Sequence, residues 1–192
     1  FIGEYGAQTN ILSTCLAHNS IYAATNKGLY RADLNQQNLA DYNAWEKLLE
    51  HSKSRVDLLE SFNGLLFVNL NGEEYNTDTL YHFDGNNWVV FEEESSNVSI
   101  KANHQKLVLT RRFGVSVYNQ DLNSTHYLSS GEFNLEKIDF NSAIFTDNDE
   151  FWIADKHNGL LHNASSFFES IKPSGPFLSD GGQIVNFGDE IL

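Results

Sequence analysis

The sequence predicts an all-β fold made of β-propeller blades, each blade a small sheet of four antiparallel strands. Three observations lead to this prediction. An apolar segment that ends on a polar residue recurs along the chain, turn-forming residues flank every copy, and the copies start roughly 40 to 45 residues apart, a period typical of four-stranded blades. We therefore expect about four consecutive blades, whose apolar segments are residues 21–25, 65–69, 106–110 and 151–155.

A turn-forming residue lies two positions before each apolar segment. Asn and Asp tolerate left-handed backbone conformations and bond to their own main chain, which suits a tight hairpin. Each apolar segment is therefore interpreted as the second strand of a blade, joined by a hairpin to the first. The residues in this position are Asn19, Asn63, His104 and Asp149, with Asp189 before a fifth, incomplete copy.

A glycine follows the polar end of each segment within three or four positions, at Gly28, Gly72, Gly114 and Gly159. Glycine supplies the positive φ that a tight second hairpin requires, so a third strand is expected after it. In the second blade, inserted residues 73–78 predict a longer hairpin. An aromatic residue then marks the fourth, outer strand, and these aromatic residues are Trp45, Trp88, Tyr127 and Phe168.

These cues place the blades at about 9–52, 55–95, 97–133 and 136–174. Residues 1–6 are interpreted as the end of a preceding blade and residues 181–192 as the start of a further one. A propeller that does not close exposes sheet edges and blade faces. A closed four-bladed propeller is one interpretation. The incomplete copies at both ends favour the other, a propeller fragment that is an arc of a seven-bladed ring and could be stabilised by self-association through its open blade faces.

Charge and hydropathy exclude several classes of function. The formal net charge is −14 and the pI is near 4.7, so the chain lacks the basic surface that nucleic acid requires. No apolar segment approaches the roughly 18 to 20 residues of a membrane-spanning helix. The single cysteine, Cys15, cannot form an intramolecular disulfide, and its apolar surroundings predict a buried thiol.

No catalytic or metal-binding motif is evident, so we expect neither an enzyme, nor a metal, nor a cofactor. The seven His residues are scattered, without the spacing of zinc ligands. The acidic segment 147–150 lacks the glycine and glutamate spacing of an EF-hand loop. Acidic clusters at 73–74 and 92–94 could serve a glycosidase, but they fall on a hairpin insertion and an outer strand, away from the central channel.

The hairpin between the second and third strands carries a cation in three of the four blades. This hairpin opens onto the binding face of propellers, and arginine can grip a carboxylate with two parallel hydrogen bonds. The pattern predicts capture of an anionic glycan or of a partner's carboxylates, although exposed turns also carry Lys and Arg for solubility alone. The candidate binding residues are Lys27, Arg111, Arg112, Lys156 and His157.

Two resemblances to known families rest on particular segments. Residues 151–155, followed by Asn158, Gly159 and Leu160, resemble the two-component regulator propeller repeat, which fills the periplasmic sensor regions of Bacteroidetes hybrid two-component proteins. Residues 21–34 and 38–45 are similar to the N-terminal β-propeller of PorZ-like proteins of the type IX secretion system. The likeness to the repeat covers essentially the whole chain, whereas the second likeness depends mainly on the first blade.

The likeness to PorZ implies a non-catalytic binding or scaffold module, exported to the cell surface, outer membrane or periplasm. Its expected partners are other secretion-complex proteins or an anionic surface glycan. The likeness to the repeat implies an alternative, a periplasmic sensor propeller that binds a glycan. A propeller glycosidase or lyase is a second alternative. A transmembrane helix and a kinase elsewhere in the protein would indicate the sensor, whereas a second propeller and a sorting domain would indicate the secretion component.

Overall fold

The protein is all-β and built from four-stranded antiparallel sheets, as the sequence predicts. In the computed structural model, the strands of each blade pair in chain order. The structure divides into two compact units, Phe1–Ser96 and Asn97–Leu192, called unit one and unit two below. The residues described are 9–36, 38–49, 54–74, 77–103, 105–129, 135, 137–146, 150–164, 167–171, 186–187 and 190–191.

Unit one contains blades one and two. The strands of blade one, β1 to β4, are Ile11–Ala17, Ser20–Thr25, Gly28–Asp33 and Glu46–Leu48. A 3-10 turn, Tyr42–Ala44, precedes β4, and the carboxylate of Asp41 accepts a hydrogen bond from Asn43 N at its start. The strands of blade two, β5 to β8, are Val56–Phe62, Leu65–Leu70, Asp78–Phe83 and Trp88–Ser95.

Unit two contains blades three and four. The strands of blade three, β9 to β12, are Asn97–Ala102, Leu107–Arg111, Gly114–Tyr118 and Ser124–Ser129. The strands of blade four, β13 to β16, are Phe140–Phe145, Phe151–Asp155, Gly159–Ala164 and Phe167–Ile171. A separate antiparallel pair, β17 and β18, comprises Asn186–Phe187 and Glu190–Ile191.

The first hairpin of blades one and two is tight because its residues adopt left-handed backbone conformations. His18 and Asn19 have φ values of 47° and 56°, and Asn63 and Gly64 have values of 48° and 77°. Two successive residues with positive φ form the turn whose twist matches that of the flanking strands. The prediction made from Asn19 and Asn63 is confirmed, whereas His104, Asp149 and Asp189 lie outside the described residues.

The glycine of the second hairpin serves different purposes in different blades. Gly28 and Gly159 have positive φ values of 117° and 78°, as predicted. The prediction is wrong for Gly72 and for Gly114, the first residue of β11, because neither has a φ in the left-handed region. A side chain at Gly72 would instead overlap the main chain of Thr77. Glycine is needed there because the two arms of the long hairpin approach each other closely.

A hydrophobic core lies between the two sheets of unit one. Cys15 packs against this core but is half-buried rather than buried as predicted. Partial burial raises the pKa of its thiol to about 12, so that the thiol is protonated at neutral pH. Burying a side chain such as leucine or valine contributes roughly 1.5–3 kcal/mol to folding. The buried core residues are Tyr22, Ala24, Leu29, Val56, Leu59, Leu66, Val68 and Phe83.

The core of unit two explains why the second strand of a blade reads as an uninterrupted apolar segment. On β10, residues Leu107, Val108, Leu109 and Thr110 are all buried, because both faces of this strand are covered. Val108 packs with residues of blade four, among them Phe140, Ile153 and Leu161, so blades three and four share one core. The hydroxyl groups of Ser99 and Ser142, 3.2 Å apart, link their inner strands.

Within the described ranges, no helix is long and apolar enough to cross a membrane. Several features singled out from the sequence lie outside those ranges, namely residues 1–6, most of 181–192 and the turn at 147–149. The strands β12 and β16 contain Tyr127 and Phe168, whose side chains are likewise not described.

Candidate anion-binding site

The second hairpin of three blades carries the cations singled out from the sequence. Lys27 lies in the turn between β2 and β3, in unit one. In unit two, Arg111 is the last residue of β10 and Arg112 follows it in the turn. Lys156 and His157 occupy the turn between β14 and β15. Four of the five candidates therefore lie on the hairpins of two successive blades.

A fully buried polar residue is the last or next-to-last residue of the second strand in every blade, and these residues are Thr25, Asn69, Thr110 and Asp155. In blade one, the hydroxyl of Thr25 accepts a hydrogen bond from Lys27 N at 3.0 Å and donates one to Gly28 O at 2.7 Å. A buried polar group without such partners would cost free energy. The polar strand end thus fixes the hairpin that presents the cation.

Asp155 performs the same task in blade four with more hydrogen bonds. Its Oδ1 accepts hydrogen bonds from His157 N at 2.9 Å, from Asn158 N at 2.7 Å and from Asn158 Nδ2 at 2.8 Å. Its Oδ2 accepts one from Asp139 N at 2.6 Å. Hydrogen bonds to a carboxylate are stronger than those to a neutral acceptor. Asp155 therefore holds both the β14–β15 turn and the segment that enters β13.

Asp139 brings two of the candidate cations together. Its Oδ1 lies 3.4 Å from Arg112 Nε, and its Oδ2 lies 3.3 Å from Lys156 Nζ. The Asp139 side chain is 18% exposed, against 47% for Arg112 and 33% for Lys156. The two cations belong to different blades, so this carboxylate bridges the hairpins of blades three and four.

Main-chain hydrogen bonds fix the two hairpins beside Asp139. Phe140 N donates to Arg112 O at 3.0 Å, which ties the blade-three hairpin to the start of β13. Lys156 N donates to Asp139 O, also at 3.0 Å. The positions of Arg112 and Lys156 are thus set by backbone contacts, independently of their side chains.

The remaining candidates do not join this cluster through any described contact. Arg111 Nη1 donates to Ser116 Oγ at 2.8 Å, so its side chain lies along the sheet of its own blade. His157 is exposed, and its described hydrogen bond is made by the main chain to Asp155. Lys27 belongs to unit one. The structure therefore joins Arg112 and Lys156 through Asp139.

The cluster of Arg112, Asp139 and Lys156, called the rim cluster below, gathers two cations around one carboxylate, with the buried carboxylate of Asp155 next to Asp139. It contains two positive charges and one negative charge in a chain whose net charge is −14. A guanidinium and an ammonium group that face the same point suit a carboxylate, sulfate or phosphate oxygen. The arrangement can therefore bind an anion.

The corresponding hairpin of blade two gathers negatively charged side chains instead of positively charged ones. The amide of buried Asn69 donates hydrogen bonds to Asp57 Oδ1 and Asp78 Oδ2, both at 3.1 Å. Asp78 Oδ1 accepts a further hydrogen bond from Gly72 N at 3.0 Å. Burial, together with the nearby Asp78 charge, raises the pKa of Asp57 above its usual range. Blade two thus gathers carboxylates where blades three and four gather cations.

Sequence reasoning missed Asp139 and the role of Asp155. Asp139 lies 17 positions before Lys156, in the connection that enters the first strand of blade four. Nothing in its local sequence marks it, because its partners come from two other hairpins. Asp155 was visible as a polar residue at the end of an apolar segment, and its repetition at the same place in every blade was the available signal. Among the described residues, no three His, Cys, Asp or Glu side chains are arranged to bind a metal ion.

No protein-family model matches this sequence, and no curated protein matches it. Solved structures do resemble the fold. The extracellular domain of a protein described as a hybrid two-component system, BT4673 from B. thetaiotaomicron, aligns with a TM-score of 0.64 at 16% identity. That alignment covers 93% of this chain and 23% of the BT4673 domain, so this chain spans about a quarter of its length.

Two further structures show the same likeness. A protein of unknown function from Bacteroides caccae aligns with a TM-score of 0.56 at 12% identity, covering 96% of this chain and 69% of that one. The computationally designed protein Ika4 aligns with a TM-score of 0.53 at 13% identity, covering 85% of this chain and 97% of Ika4. At these identities the likeness concerns the fold, and it agrees with an arc of propeller blades.

Proposed function

We propose that this chain is part of the ligand-binding ectodomain of a two-component regulator, and that it binds an anionic glycan at the rim cluster. The observation that carries the proposal is the meeting of Arg112 and Lys156, from successive blades, on one carboxylate. The likeness to an extracellular domain of a hybrid two-component system supports the sensor role. An exported, extracytoplasmic location follows from this role.

A non-catalytic role suits the chemistry of the rim cluster. Two fixed cations can hold and orient an anion, whereas hydrolysis or elimination would also need a carboxyl group available as acid or base. Both carboxylates here are engaged, because Asp155 accepts four hydrogen bonds and Asp139 pairs with Arg112 and Lys156. The acidic remainder of the chain repels polyanions at long range, and salt screens this repulsion. We therefore expect a weak, salt-dependent affinity for acidic sugars and no turnover.

Isothermal titration calorimetry with acidic oligosaccharides at low ionic strength tests this proposal. The double variant Arg112→Ala/Lys156→Ala is expected to lose at least about tenfold in affinity, because both charge-assisted contacts disappear. Lys101→Ala, on β9, is the matched control that removes a cation elsewhere in unit two. Equal binding by the wild type, the double variant and the control would exclude the rim cluster as the site.

The sensor role and the PorZ-like role differ in what accompanies the propeller in the complete protein. A membrane-spanning segment followed by a kinase domain would support the sensor. A second propeller and a sorting domain would support a component of type IX secretion. Under either role the rim cluster remains the proposed ligand site, so the binding experiment is informative in both cases.

A further inference from the structure

We propose that, without ligand, the carboxylate of Asp139 occupies the position between Arg112 and Lys156 that the carboxylate of an acidic sugar takes on binding. This inference rests on the proposed function and deepens it. It assigns Asp139 as the residue that sets affinity, and uronic-acid sugars as the ligand class. Three features support it: the main-chain hydrogen bonds of Asp139, the long contacts of its carboxylate, and the charges that surround the rim cluster.

The main chain of Asp139 is fixed by two hydrogen bonds, whereas its carboxylate makes one 3.3 Å hydrogen bond to Lys156 Nζ and one 3.4 Å ion pair with Arg112 Nε. Asp139 N donates to the buried Asp155 Oδ2 at 2.6 Å, and Asp139 O accepts from Lys156 N at 3.0 Å. Neither bond involves the side chain. The carboxylate can therefore rotate about the Cα–Cβ bond without disturbing the turn or the start of β13.

The carboxylate of Asp139 is held by long ion pairs. Its distances of 3.4 Å to Arg112 Nε and 3.3 Å to Lys156 Nζ exceed the roughly 2.7–2.9 Å of a strong charge-assisted hydrogen bond. Its Oδ1 is buried and accepts no hydrogen bond from the described part of the chain. A buried acceptor without a donor costs free energy, and rotation toward solvent would give this oxygen a water molecule. Displacement of the carboxylate therefore breaks two long contacts with cations and no short hydrogen bond.

The position of Asp139 also indicates which anion can replace it. A planar group with two oxygens already spans the gap between the guanidinium and the ammonium. A second negative charge, as on a phosphate monoester, would be repelled by Asp155 nearby and by the chain's net charge of −14. A monoanionic carboxylate is therefore the ligand that the rim cluster admits best, and uronic acids carry one on each sugar.

Charge-neutralising variants of Asp139 test this inference in the 192-residue chain. Asp139→Asn keeps the shape and the main-chain hydrogen bonds, and it should raise the affinity for a tetragalacturonate about tenfold, because the ligand no longer competes with an internal carboxylate. Asp139→Ser is a second variant in case the Asn amide itself pairs with a neighbour. Asp121→Asn, in the β11–β12 connection, removes the same charge at an exposed position and controls for net charge.

Calorimetry with tetragalacturonate, a phosphorylated oligosaccharide of the same length and a neutral one separates the outcomes. Tighter binding of the uronate by both Asp139 variants, but not by Asp121→Asn, would support the inference. Unchanged or weaker binding by these variants, with measurable binding by the wild type, would overturn it and leave the proposed function intact. Equal gains for the phosphorylated sugar would overturn the assignment of uronates. Binding of no acidic sugar by any variant would overturn the proposed function itself.

Discussion

Blade two of unit one and blade four of unit two share a blade pattern but gather opposite charges at their second hairpins. In blade two, the neutral amide of Asn69 is the hydrogen-bond donor between two carboxylates. In blade four, the corresponding residue is the carboxylate of Asp155, and beside it Asp139 lies between Arg112 and Lys156. One change of residue type at the strand end thus accompanies a change from a hairpin that gathers carboxylates to one that gathers cations. The fold provides the position, and the side chains decide what can bind there.

The two units also differ at their first hairpins. In unit one, the ring of His18 bonds to Gly64 O at 2.8 Å, which links the hairpins of blades one and two. In unit two, Asn103 Nδ2 contacts Phe145 O at 3.2 Å and Thr146 O at 3.3 Å. A ring and an amide thus perform the same task, joining neighbouring blades. The four predictions below test how far these differences affect stability.

The largest effect is expected from the buried strand ends. Asp155→Ala removes an acceptor of four hydrogen bonds and should lower the free energy of unfolding by about 3 kcal/mol. Thr25→Ala, at the equivalent place in blade one, should cost about 1 kcal/mol, because fewer bonds are lost. Urea unfolding at pH 7 measures both. Equal losses would show that the extra hydrogen bonds of Asp155 add nothing to stability.

The next effect concerns the links between blades. Asn103→Ala should cost about 2 kcal/mol, because the side chain also accepts hydrogen bonds from Gln105 N and Lys106 N. His18→Ala should cost about 1 kcal/mol. Thermal or urea unfolding is the measurement, and Asn103→Asp is the control that keeps the acceptor and loses the donor. A stability of Asn103→Asp equal to the wild type would mean that the contacts to blade four are dispensable.

A smaller effect that depends on pH is expected at Asp57. Its pKa is raised in the folded protein by burial and by Asp78, so the folded state holds the proton more tightly than the unfolded chain. Its contribution to stability is therefore present below the unfolded pKa and is lost as the pH rises through the folded pKa. Asp57→Asn mimics the protonated acid and should be more stable than the wild type at pH 7 but not at pH 3.

Unfolding of Asp57→Asn and of the wild type across this pH range measures the difference. Asp139→Asn provides the comparison in unit two, where the carboxylate lies between cations. It should not show the gain expected of Asp57→Asn at pH 7. The same gain in both variants would indicate a general effect of net charge rather than a property of the blade-two cluster.

The smallest effect is expected at the ring of Phe145, where Lys106 Nζ lies 4.0 Å from the ring centroid. Lys106→Met keeps the apolar stem of the side chain and removes the charge, so the cation–π contact is lost. We expect a loss of about 0.5 kcal/mol in unfolding free energy. Lys101→Met is the control for net charge, and a larger loss in the control would contradict the assignment.

Much of the fold could be predicted from the sequence because its signals are local. Asn19 and Asn63 prefer left-handed conformations wherever they occur, and each occupies the predicted turn. The same local reasoning fails at Gly72, where the need for glycine comes from Thr77 on the opposite arm of the hairpin. The sequence around one residue does not reveal which other segment packs against it.

The candidate site was predictable only in part, for the same reason. Arg112 and Lys156 could be proposed because the repeat places both on the second hairpin. Arg111, next to Arg112, looked equivalent, but strand alternation directs its side chain to Ser116. Asp139 could not be identified, because its role depends on two hairpins meeting beside the start of another strand.

The reactivity of the single cysteine can report local unfolding of unit one. A thiol with a pKa of about 12 carries almost no thiolate at pH 8, so alkylating and disulfide reagents should react with folded Cys15 only slowly. Each transient opening that returns the thiol to water restores its ordinary reactivity. The rate of alkylation, followed by mass spectrometry without any engineered label, would therefore measure how often blade one opens locally. Unit two contains no cysteine and would not contribute to the signal.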